Sequence, residues 1–131
     1  MGNSMGNDMG NDMDGNKGND VIDLATFRAL QDSAGADFVA ELVDAYLEEA
    51  PRMLETLRTS LAARDADAFR RAAHSLKSNS MTFGANALAA IARELELTTR
   101  EVVEQGDARV LDAAAGEQQR VAAALQELTN A

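Results

Sequence analysis

The stretch AAHSLKSNSMTFGANAL, residues 72–88, decides how this chain folds. Ala72, Ala73, Leu76 and Ser80 recur every three or four positions, the period of an amphipathic helix. Gly84 follows, the residue type most able to take a left-handed cap. A second run of the same period begins at Leu88. Two helices joined by a glycine turn result, and the chain's only histidine, His74, sits on the first.

The same period extends outward in both directions. Asp65 or Asp67 opens the helix that carries Phe69 and His74. Upstream, Asp23 caps a short helix bearing Leu24, Phe27 and Leu30, which stops near Gly35. Phe38, Val39, Leu42, Val43, Tyr46, Leu47, Ala50, Met53, Leu54, Leu57 and Leu61 then form the inner face of one long helix. Pro51 lies within it and predicts a kink. Downstream, Leu88, Ile91, Ala92, Leu95 and Val102 predict a single helix ending by Gly106. Asp107 caps a last helix with Val110, Leu111, Ala114, Val121, Leu125 and Leu128 inward. No β-branched alternating run occurs. The expected fold is all-α: an antiparallel up-down four-helix bundle behind a short N-terminal helix, spanning 21–131.

Residues 1–20 read MGNSMGNDMGNDMDGNKGND, glycine-rich and without apolar period. Such a segment predicts a disordered low-complexity tail or an appended leader. Asp12, Asp14, Asn16 and Asp23 have the ligand spacing of a calcium loop. Lys17 occupies the glycine position and Asp23 replaces the bidentate glutamate, so calcium is not expected. The chain has 131 residues, no cysteine and one histidine, which removes disulfides, thiolate metal sites and multi-histidine sites. A net charge of −10 argues against nucleic acid and anionic membrane as partners. No apolar run suits a membrane span and no signal segment opens the chain, so a soluble, cytoplasmic domain is expected.

Helical geometry places the histidine. With Phe69 taken as the core direction, Leu76, Ala73 and Ser80 fall within roughly 40° of it. His74 lies roughly 140° away, on an outward stripe with Arg70, Lys77, Ser78 and Met81. A histidine there is more often an ordinary solvated one than a reactive one. Two features count for reactivity. No Asp or Glu occurs from Ala68 through Arg93, although acidic residues outnumber basic ones by 22 to 12. Arg70, Arg71, Lys77 and Arg93 lie within that window, a setting suited to an anionic group on the imidazole. Ser75 and Ser78 are also small, leaving the ring accessible to another protein's site.

The run His74-Ser75-Leu76-Lys77-Ser78-Asn79-Ser80, then Gly84-Ala85 and Leu88, then Leu95-Glu96, resembles the histidine-containing phosphotransfer domain of bacterial phosphorelays. The likeness extends over 21–131. It implies that His74 is the phosphorylated residue and that Lys77 neutralises the phosphoryl oxygens. It implies also that Ser78 fills the small position beside the ring, where many members have glycine, and that Gly84 shapes the turn. Arg70, Ser78 and Met81 would face the phosphoryl group or the receiver. The implied partners are response-regulator receiver domains and a sensor or hybrid histidine kinase. The receiver would supply Mg²⁺, so no cofactor or metal of the chain's own is implied. The chain would act as a monomeric carrier without ATP-dependent kinase activity, since no glycine-rich nucleotide loop is present. Two alternatives stand beside this one. One is a helical bundle that docks receivers without transfer. The other is a carboxylate-bridged metal bundle, which needs a Glu-x-x-His pair where Arg71 stands.

Overall fold

A computed structural model describes residues 21–130, and among them no strand occurs. The tail and the calcium spacing at Asp12, Asp14 and Asn16 lie outside the described residues. Asp23 is described, and it is the N-cap of a helix. Its carboxylate accepts the Ala25 N–H at 3.1 Å and opens α1, Leu24–Ala34. Next comes α2, Ala36–Ala62, whose 27 residues continue through Pro51 without the bond an N–H there would donate to Leu47. Asp65, not Asp67, caps α3, Ala66–Thr82, accepting the Ala68 N–H at 3.1 Å.

The chain then runs through α4, Asn86–Leu97, and α5, Thr99–Gln105. A 3-10 turn at Ala108–Leu111 leads into α6, Asp112–Asn130. Helix α3 packs against α2 on one side and α4 on the other, while α6 packs on both α2 and α4 and closes the bundle. Helix α1 lies against α2 and touches α3. Phe27, Val39, Val43, Leu57, Phe69 and Leu76 are among the residues that fill the centre. None of the helices described is long and apolar enough to cross a membrane.

Three details differ from the periodicity. The third long helix is broken at Thr98, where φ is −106° and ψ is 21°. The Thr98 hydroxyl donates to the Glu94 carbonyl at 2.7 Å and the Thr99 hydroxyl to that of Leu95 at 3.0 Å. Threonine hydroxyls competing for helix carbonyls favour such a bend. Asp107 caps the 3-10 turn rather than the last α-helix, accepting the Arg109 N–H at 3.0 Å. Phe38 and Val110, expected inside, are 52% and 37% exposed. Each sits within a turn of an element's start, where the neighbouring helices give less cover.

Gly84 fixes the hairpin that carries the histidine. Its φ of 81° is left-handed, and a Cβ there would stand 2.9 Å from the Asp23 carbonyl oxygen. That same stretch of α1's cap is bonded to the turn, Asp23 N–H donating to the Gly84 carbonyl at 2.9 Å. At the other end of α3, Arg64 takes a left-handed φ of 59°. From there its guanidinium donates to the carbonyls of Val103 at 3.1 Å and Glu104 at 2.8 Å, capping α5. Both ends of α3 are thereby tied to other elements.

Candidate functional site

Phe69, Ala73, Leu76 and Ser80 are completely buried, which fixes the rotation of α3. The opposite face then carries His74 into solvent, its side chain 58% exposed. The ring is held rather than free. Its Nδ1 lies 2.9 Å from Glu96 Oε2 on α4. The other oxygen, Oε1, is enclosed, and its one charged neighbour is the Lys77 ammonium at 2.8 Å. The Lys77–Glu96 pair sits off the best hydrogen-bond line, so charge rather than direction holds it.

Glu96 is the residue that sequence reasoning left without a role. The acid-free window from Ala68 to Arg93 is a property of the chain, not of the folded surface. Glu96 lies just beyond the window, and the hairpin returns it to His74. Ten residues precede Gly84 back to His74 and twelve follow it on to Glu96, so an antiparallel turn brings the two level. Neighbouring Ala92 and Leu95 are buried, which puts Glu96 on the border of α4's inner face. The signal was present in that spacing.

The electrostatics follow from this placement. Lys77 first, and His74 second, hold the Glu96 carboxyl below its usual range near 4.5. An ionised carboxylate can only accept, so the Nδ1 atom must be the donor. In the neutral ring the proton is therefore on Nδ1, and the lone pair falls to Nε2. The Thr99 hydroxyl donates to the backbone carbonyl of Glu96 at 2.9 Å and fixes this part of α4. The break at Thr98 thus begins two residues from the acid that positions the imidazole.

The other residues on the stripe fall as follows. Lys77 is less outward than expected, with only 22% of its side chain exposed, because α4 covers that flank. The Arg70 and Arg71 guanidinium groups donate to Asp67 on their own helix at 3.2 and 2.8 Å. The expected basic patch is thus partly neutralised from both sides, by Asp67 and Glu96. Ser78 is exposed one turn beyond His74, and Met81 is 56% exposed one turn further. Gly84 stands at the turn. Among the described residues no three His, Cys, Asp or Glu side chains group as metal ligands.

A neutral imidazole held through Nδ1 on an exposed ring has the means to act as a nucleophile through Nε2. Comparisons with known proteins bear on what it attacks. The family model described as Hpt domain matches residues 41–131. Among solved structures, the chain is similar to the crystal structure of histidine-containing phosphotransfer protein B (HptB) from Pseudomonas aeruginosa PAO1. The TM-score is 0.77 at 27% identity, covering 84% of this chain and 95% of that one. Curated protein sequences gave no significant match.

Proposed function

The chain belongs to the Hpt domain family, and from that premise we propose that it is a phosphorelay carrier whose phosphoryl group rides on Nε2 of His74. The donor is the acyl phosphate of a receiver-domain aspartate or a histidine kinase. The acceptor is the aspartate of another receiver. The observation that carries this reading is the 2.9 Å contact between Nδ1 and Glu96 on an exposed ring, because it selects the neutral tautomer whose free pair is on Nε2. A carboxylate behind an imidazole fixes tautomer and orientation in the manner of catalytic triads.

Transfer passes through a loose transition state and asks for position and positive charge. His74 supplies position. Lys77 is the nearest cation and serves the phosphoryl oxygens, after a change of side-chain direction away from Glu96. The receiver supplies Mg²⁺ and its acidic pocket, and the open surface at Ser78 and Met81 admits it, with Arg70 beside it. The chain works as a cytoplasmic monomer and has no part in ATP chemistry.

Incubation with a phosphorylated receiver tests this directly. The expected result is an acid-labile, base-stable phosphate on this chain, which a second receiver then removes. Receiver binding without any phosphate on the chain would instead favour docking alone.

A further inference from the structure

Fixing the tautomer of His74 does not require a charge. A neutral amide oxygen accepting from Nδ1 would hold the ring just as well. This site uses an ionised carboxylate, with Oε2 at 2.9 Å from Nδ1 and Oε1 at 2.8 Å from the Lys77 ammonium. The Glu96 side chain is 19% exposed, with its Oε1 enclosed beside Lys77. The carboxylate places a negative charge behind the ring.

The consequence appears when charge is followed through a cycle. The Nε2 pair attacks the phosphorus of the receiver's acyl phosphate, and the Nε2–P bond forms. The P–O bond to the aspartate breaks, its pair leaving on the carboxylate oxygen. Nδ1 keeps its proton, so the ring becomes a phosphoimidazolium cation. A long-lived neutral phosphoimidazole forms only if that proton is lost to solvent. A carboxylate against Nδ1–H stabilises the cation and opposes the loss. The cationic ring is also the better leaving group. When the P–N bond breaks, the pair returns to Nε2 and the ring is neutral at once, with its Nδ1 proton in place. Meanwhile the same carboxylate draws the Lys77 ammonium away from the phosphoryl oxygens.

We propose that the Glu96 carboxylate labilises the Nε2–phosphoryl bond and sets this domain to discharge rapidly to a receiver rather than to store phosphate. Glu96 is a positioning residue acting through the ring, and the proposal rests on His74 being the carrier.

The test compares wild type with Glu96→Gln, each phosphorylated by the same receiver and then freed of it. Phosphohistidine is followed by phosphorus NMR, and its ratio to receiver acyl phosphate is measured at equilibrium. Glu96→Gln should melt within roughly 5 °C of wild type, while its phosphohistidine decays about tenfold more slowly and the equilibrium shifts toward His74 by a like factor. The slowing should persist in a Lys77→Ala background, because the carboxylate acts on Nδ1. Equal lifetimes would overturn the proposal. So would slowing that vanishes without Lys77, or a folded Glu96→Gln that takes no phosphate. A wild type that takes none would overturn the carrier function itself, a separate result.

Discussion

At the scale of single residues, His74→Gln separates chemistry from stability. The ring is exposed, so its replacement opens no cavity, and glutamine keeps a donor for Glu96. Stability should change by no more than about 0.5 kcal/mol, while uptake from a phosphorylated receiver disappears and receiver binding persists. Calorimetry with a phosphate assay on one preparation checks both. Lys77→Ala removes the cation nearest the site. It should slow uptake and shorten the phosphohistidine lifetime, because Glu96 then faces the phosphoryl group uncompensated. The ion pair is partly solvent-exposed and contributes no more than about 1 kcal/mol. Transfer at the wild-type rate would remove Lys77 from the site.

The outward placement of His74 was legible in the sequence, and its contact with Glu96 was not, for a definite reason. The helical period orients each residue of α3 relative to its own core face, and His74 falls clearly outward. Lys77 lies about 80° from the Phe69 direction, at the border, where a neighbouring helix decides between solvent and contact. A period cannot report what α4 places at that border.

At the scale of elements, the boundaries marked by Asp23, Asp65 and Gly84 hold, whereas Asp107 caps the 3-10 turn rather than the last helix. Asp23 and Asp65 bond to backbone N–H groups at the helix starts, and Gly84 takes the left-handed turn. The break at Thr98 was invisible because apolar spacing continues through Val102 and neither Gly nor Pro marks it. Threonine hydroxyls produce it instead. Gly84→Ala should cost about 1–3 kcal/mol, from the left-handed φ and from the new Cβ meeting the Asp23 carbonyl. A melting temperature unchanged by Gly84→Ala would show that the hairpin does not depend on this turn.

Asp107 allows a pH prediction at the same scale. The Arg109 side chain, with help from its backbone N–H, pulls the Asp107 carboxyl down to about 2. A depressed carboxyl stabilises the fold above its unfolded value near 3.8, and the effect is lost as pH falls through about 2. Carboxyl NMR titration should place its midpoint well below that of ordinary aspartates. Asp107→Asn should reduce the difference in stability between neutral pH and pH 2. A midpoint near 3.8 would contradict the Arg109 contact.

At the scale of the whole molecule, one core both holds the bundle and aims the site. Leu76 is fully buried two residues beyond His74 on the opposite side of α3, so it touches the core and not the chemistry. Leu76→Ala removes packing at the centre and should cost about 2–5 kcal/mol, a large share of the 5–15 kcal/mol typical of a domain. For a domain of this length that is a fall in melting temperature of roughly 10 °C or more. The ring, Glu96 and Lys77 sit on the outer side of the helix, and Arg64 and Gly84 still anchor its ends. Below the new transition, phosphate uptake per folded molecule should therefore match wild type. The cost would appear only as a lower temperature at which activity is lost. A folded Leu76→Ala protein with slowed transfer at 10 °C would show instead that the core tunes the site's geometry directly, and that the rotation of α3 is set less firmly than its buried face implies.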